Sequence, residues 1–185
     1  PPIVTTVGPS PTPSPTLTPT PPSVGFADTV VTASEEDGRA TLVVRLSEAY
    51  HLPVTVSYNV VLAASTATRG VDYVLADGTL TFNPRTSTSA GDRERQIVVT
   101  LLRDNLNEDN EQVVIRLTGF TNAVSNGADI ATLIITDSSA PPTVRLVGAE
   151  QRIAERAGSA AFTVELNQVS ALPVAVPYTV AGTAS

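Results

Sequence analysis

An all-β sandwich is the fold this sequence predicts, and three observations predict it. Short runs alternate apolar and polar residues with a period of two. Clusters of Gly, Asn, Asp and Pro punctuate those runs at regular intervals. No stretch carries a helical period. Seven or so short strands at such spacing fit two packed antiparallel sheets. Hydrophobic residues make up 42% of the 185 residues but aromatics only 4%, so the core between the sheets must be aliphatic.

The chain opens on "PPIVTTVG" (1–8), a β-branched run that could serve as a short strand, as linker, or as the end of a preceding domain. "PSPTPSPTLTPTPP" (9–22) follows, seven of its fourteen residues being Pro. Such a run buries no apolar area and lacks backbone donors, so residues 1–22 form a linker or stalk. Extended as polyproline, the run 9–22 reaches about 40 Å at ~3.1 Å per residue. Thr-Pro and Ser-Pro runs are also typical of O-glycosylated stalks.

Strands are predicted between residues 23 and 138. "ATLVVRL" (40–46) puts Ala40, Leu42, Val44 and Leu46 on one face. "PVTVSYNV" (53–60) turns Val54, Val56, Tyr58 and Val60 inward, and "GTLTF" (78–82) does so with Leu80 and Phe82. "QIVVTLL" (96–102), "QVVIRL" (112–117) and "ATLIIT" (131–136) continue the alternation. Residues 139–142 read as a linker.

Beyond it the chain repeats itself at a constant offset of 120 residues. "EEDGRATLVVRL" (35–46) recurs as "ERAGSAAFTVEL" (155–166), and "LPVTVSYNVVLAAS" (52–65) as "LPVAVPYTVAGTAS" (172–185). Residues 143–185 therefore hold the opening third of a second domain, about three strands. Half a core leaves sheet edges and apolar faces open. A continuing chain or a strand from a neighbouring repeat or identical subunit would cover them. With no Met and a Pro at position 1, the chain is expected to be a processed form or a fragment.

The net charge of −7 argues against nucleic acid, which needs clustered cations, and suits hard cations. No apolar run reaches membrane-spanning length. All eleven basic residues are Arg, Cys is absent, and His51 is the one His, placed beside Tyr50 in an expected exposed turn. Lysine, thiolate and His-based catalysis therefore lack their residues, and no enzyme is expected.

"LLRDNLNEDNEQVVIRL" (101–117) packs acids and amides between two strands. Acid-rich turns are usually solvated, and this one lacks the spacing of an EF-hand. Other acids stand at expected strand ends: Glu35, Asp72 and Asp137. Loops from alternate strand ends of a sandwich meet at one pole, where carboxylates distant in sequence can converge.

The sequence here resembles the Calx-beta domain family. The resemblance is carried by Glu35-x-x-Gly38, Leu52-Pro53-Val54-x-Val56-x-Tyr58, Gly70-x-Asp72-Tyr73 with Gly78-Thr79-Leu80-Thr81-Phe82, Asp104-x-x-x-Glu108-x-x-Glu111, and Ile134-Ile135-Thr136-Asp137. It implies an immunoglobulin-like seven-stranded antiparallel β-sandwich over 23–138, with a second incomplete copy after it. It also implies one Ca²⁺ site. Glu35, Asp72, Asp104, Glu108 and Asp137 fall where calcium-binding members place ligands, and Leu106 falls where a backbone carbonyl serves. Glu111 matches the motif's last acid, with ligation and a turn-fixing role both open. Arg103, Ser138 and Ser139 stand where strong binders have further acids. Arg103 would repel a cation or pair with one of the acids, and fewer carboxylates mean a weaker site.

The expectation that follows is a structural or adhesive module of an extracellular tandem-repeat surface protein, stiffened by Ca²⁺ at one pole. Two alternatives stand beside it: a filament subunit completed by a neighbour's strand, and a calcium-sensing regulatory module.

Overall fold

A computed structural model describes residues 1–2, 19–148 and 150–183. The candidate strand over 1–8 and most of the Pro/Thr stalk lie outside the described residues.

Ten strands build the sandwich: β1 (Ser23–Phe26), β2 (Val30–Ser34), β3 (Arg39–Leu46), β4 (Val54–Val60), β5 (Tyr73–Val74), β6 (Gly78–Phe82), β7 (Glu94–Leu101), β8 (Glu111–Thr121), β9 (Val124–Ser125) and β10 (Ile130–Thr136). They form two five-stranded sheets, ordered β5-β7-β3-β1-β9 and β2-β10-β8-β4-β6. The alternating positions of β3, β4, β6, β7 and β10 place their apolar side chains between the sheets. Leu42, Val44, Val54, Val56, Phe82, Ile97, Val99, Ile115 and Leu133 are each at most 1% exposed. Each such side chain contributes on the order of 2 kcal/mol by leaving water. Tyr58, expected inward, is half-buried at the edge of this core.

The first stretch of the sandwich is split between the two sheets. β1 pairs antiparallel with β3, whereas β2 crosses over and runs parallel to β10, from Val30 opposite Thr132 to Ser34 opposite Thr136. The crossing gives each sheet a strand from the same segment, with β2 standing at the edge of its sheet. The alternation of β2 is weak because it lies at a sheet margin, with Val30 exposed and Val31 half-buried.

The second copy forms a two-stranded antiparallel sheet, β11 (Val144–Val147) with β12 (Thr163–Leu166). The repeat extends to fine structure. A one-turn 3-10 helix over Glu35–Asp37 ends on Gly38 in the left-handed conformation at φ 68°, and its counterpart over Glu155–Ala157 ends on Gly158 at φ 77°. Only glycine adopts that conformation without steric cost. The expected third strand, corresponding to β4, does not form: residues 173–183 have no ladder partner. In the first copy β4 lies between β6 and β8, and neither has a counterpart among the described residues. Positions buried in the first copy are accordingly bare in the second, as with Leu42 at 0% and Phe162 at 58%.

Candidate metal centre

Four segments bring acids to one pole of the sandwich. The first is the 3-10 turn. Ser34 Oγ accepts from the Glu36 amide at 3.3 Å, and the Asp37 carboxylate accepts from the Ser34 amide at 2.9 Å. This reciprocal capping box fixes the turn and leaves Glu35 8% exposed. Glu35 Oε2 is buried without a hydrogen-bond partner.

The second segment is the loop into β5. Asp72 Oδ2 accepts from the Thr68 amide at 2.6 Å, and the Asp72 amide donates to the Thr68 carbonyl at 3.0 Å. The next residue, Tyr73, is fully buried and anchors the loop in the core. Asp72 is thereby held 8% exposed.

The third segment is the acidic run itself, closed onto the fourth, the end of β10. Asp104 Oδ1 accepts from the Leu106 amide at 2.7 Å. Asp137 Oδ2 accepts from the Glu108 amide at 3.0 Å, and Asp137 Oδ1 accepts from the Ser139 amide at 2.7 Å. Asp137 thus clasps the acidic loop to the chain leaving the sandwich. Glu111 opens β8 opposite Ile135.

Carboxylate oxygens of Asp72, Glu108 and Glu111 lie within 4.8 Å of one another. Glu35, Asp104 and Asp137 lie close enough to this trio to act on it electrostatically. Burial, then the charges of Asp137, Asp104, Glu108 and Asp72, push the Glu35 carboxyl above its ordinary range. Burial and then Asp104, Asp72 and Asp137 do the same to Glu108. Glu111 is pushed up to about 7 by burial, by a hydrogen bond to Asp72, and by the charges of Asp72, Glu108 and Glu35. Carboxylates this close without a cation among them resist ionising together.

Of the residues singled out in the sequence, Asp72 and Glu108 belong to the tight trio. Glu35, Asp104 and Asp137 act on the trio through their charges. Leu106 stands in the same loop with its amide committed to Asp104. Glu111 is the third member of the trio, a place the sequence left undecided. Asp109, in the middle of the acidic run, points to solvent.

Arg103 does not brace the cluster. Its guanidinium pairs with Glu36 at 3.2 Å, both side chains being more than half exposed. Glu36 lies on the outer side of the 3-10 turn whose inner residue is Glu35, so Arg103 is drawn outward. Arg103→Ala is expected to change stability by less than about 0.5 kcal/mol, since exposed ion pairs contribute little. Urea denaturation of the variant beside the parent chain measures it.

Asn107 gave no signal in the sequence. It is 7% exposed, and its carbonyl accepts from the Ala171 amide at 3.0 Å. Its side-chain amide reaches Ser170 Oγ at 3.4 Å. The acidic loop of the first copy therefore touches the loop after β12 in the second.

Two facing, mainly antiparallel sheets and a pole that gathers carboxylates from four segments define an immunoglobulin-like β-sandwich module with a candidate cation site. The chain belongs to the Calx-beta domain family, which matches residues 19–139. Among solved structures it is similar to CBD12 from CALX1.2, with 24% identity and TM-score 0.54 over 62% of this chain and 44% of that one. It is also similar to the apo-form Calx CBD1 domain, with 23% identity and TM-score 0.55 over 64% of this chain and 98% of that one. The calcium binding domain CBD12 of CALX1.1 aligns at 22% identity and TM-score 0.54 over 67% of this chain. The chain spans 44% and 49% of the two CBD12 structures. These likenesses establish the fold. No curated protein sequence matches the chain.

Proposed function

We propose that the chain is a calcium-binding structural module of an extracellular tandem-repeat surface protein. Ca²⁺ at the acidic pole holds the loops there and, through them, the angle to the next repeat. The observation that carries this reading is Asn107. It lies between Leu106 and Glu108 in the acidic loop and bonds directly to Ser170 and Ala171 of the second copy. A cation that orders the loop therefore also orders that junction.

The residues present fit such an ion. The donors are all oxygen, as a hard cation requires. The buried, unpartnered Glu35 Oε2 is an acceptor awaiting a partner. Asp72, Glu108 and Glu111 would hold the ion, with Glu35, Asp104, Asp137 and the Leu106 carbonyl as further oxygens. Bound there, the ion would neutralise the mutual repulsion of the carboxylates. The extracellular setting is supported by the tandem repeat and the Pro/Thr stalk.

Calorimetry is expected to find one site with a dissociation constant of about 0.1–1 mM, the range of extracellular modules. The absence of a binding heat up to ~10 mM would remove the reading. A micromolar constant would instead favour a sensing role.

A second reading, a filament subunit completed by a neighbour's strand, is favoured by the exposed apolar positions Leu146, Phe162 and Val164 around the β11–β12 pair. Light scattering across a concentration series separates the two, since the filament reading requires the mass to grow with concentration.

A further inference from the structure

The loop after β3 and the loop after β12 do the same thing with different residues. In the first copy the Ser23 amide donates to Ser47 Oγ at 3.0 Å, and the Ser47 amide donates back to the Ser23 carbonyl at 2.8 Å. In the second copy the Thr143 amide donates to Asn167 Oδ1 at 2.6 Å, and the Asn167 amide donates to the Thr143 carbonyl at 3.0 Å. Each loop also reaches further back along the incoming chain. Tyr50 donates its hydroxyl to the Pro19 carbonyl at 3.1 Å, and Gln168 Nε2 donates to the Ala140 carbonyl.

The segments so held are "PTPP" (19–22) and "SAPP" (139–142), at the same offset of 120 residues. Proline supplies a carbonyl but no amide hydrogen, and extended proline-rich backbone has no internal hydrogen bonds. Its carbonyls therefore want donors from elsewhere. Aromatic grooves that bind polyproline segments meet this need with side-chain donors. Beside this contact lies a cavity of about 330 Å³, with Pro19 and Thr20 forming part of its wall and Glu48, Tyr50, His51 and Arg85 facing them. The Tyr50 ring is 9% exposed and lies 4.3 Å from the His51 ring. Its backbone carbonyl accepts from the Arg85 amide at 2.6 Å, which fixes the cavity wall.

We propose that the loop after β3, and its counterpart after β12, is a linker-binding surface. It takes the proline-rich segment leading into its own repeat and sets the direction in which that segment enters. Position 50 is Tyr while its counterpart, position 170, is Ser, and the donor in the second copy is Gln168 instead. The grip is thus kept although the residue that makes it has changed. Its hydrogen bonds use no carboxylate of the acidic pole, so in the first copy it acts without a cation, while in the second copy the same loop also meets Asn107 through Ser170 and Ala171.

The chain has no Cys, so introduced thiols take spin labels cleanly. Labels on Thr20→Cys and Val98→Cys report the direction of the segment 19–22 relative to β7. In EDTA the parent chain is expected to give a narrow distance distribution. Tyr50→Phe combined with Ser47→Ala keeps the buried ring and removes the grip, and is expected to broaden the distribution about two-fold, to that of a freely pivoting semi-rigid linker. Labels on Val98→Cys and Arg152→Cys test the second copy, where Gln168→Ala is expected to broaden the distribution in EDTA as well. Equal widths with and without the grip residues overturn the proposal, as does a parent distribution that narrows only when Ca²⁺ is added.

Discussion

Calcium at about 100 times its dissociation constant is expected to stabilise the folded chain by roughly 3 kcal/mol, raising the melting midpoint by about 6–12 °C for a chain of this size. The physical source is the metal-free state. Asp72, Glu108 and Glu111 bring carboxylate oxygens within 4.8 Å of one another, and Glu35 presents a buried oxygen with no partner. The core holds these groups together against their repulsion, and a divalent ion reverses the sign of the interaction. Glu111→Gln separates the two effects. Without calcium the variant is expected to be the more stable protein by about 1 kcal/mol, because one repelling charge is gone. With calcium it is expected to gain less than a third of the parent's increment, because ligand charge sets affinity at such sites. Thermal melts of both proteins in EDTA and in calcium at about 100 times the parent's dissociation constant give the four numbers. A parent midpoint that calcium does not move would contradict the metal assignment. A variant destabilised in EDTA would contradict the electrostatic account of the pole.

The strands that matter most for packing could be read directly from alternation. β3, β4, β6, β7 and β10 begin and end within two residues of the expected runs, because each has one face in the core and one in water. β8 runs on to Thr121, past the expected end at Leu117, because it crosses the sheet beside β4 through a shift of register between Thr55 and Ser57. The crossing of β1 and β2 between sheets was hidden, since it depends on which distant strand each half meets. The two-residue strands β5 and β9 carry too few positions to show a period. At the acidic pole the residue types were visible, but their grouping was not. Glu111 belongs to the trio because β8 starts beside Asp72, a fact of tertiary structure. Arg103 looked like the residue to disturb the cage, and the exposed Glu36 takes it away instead. Asn107 is an ordinary loop amide in sequence and becomes informative only when the second copy packs on it.

The pH dependence of stability is expected to have opposite signs with and without calcium. Glu111 has an ordinary value of 4.5 and is pushed to about 7 in the fold. Below the unfolded value both states hold the proton, and the contribution of Glu111 is fully present. Between the two values the folded chain keeps a proton that the unfolded chain releases, so stability falls as pH rises. Above the folded value the contribution is lost. Glu35 and Glu108 are shifted in the same direction and add to the slope. The pole is partly solvated, so the total loss between pH 5 and 8 is expected to be on the order of 2 kcal/mol after allowance for screening. Asp92 cannot mask it. The Asn83 amide and Arg95 hold Asp92 below its ordinary 3.8, so its contribution changes only at more acid pH. Saturating calcium competes with the proton on these carboxylates, and stability should then rise with pH over the same window. Urea midpoints at four pH values, in EDTA and in calcium, read the two slopes. Parallel slopes would mean that proton and cation do not share a site. A flat line in EDTA would mean that the acids at this pole relax apart when no ion holds them.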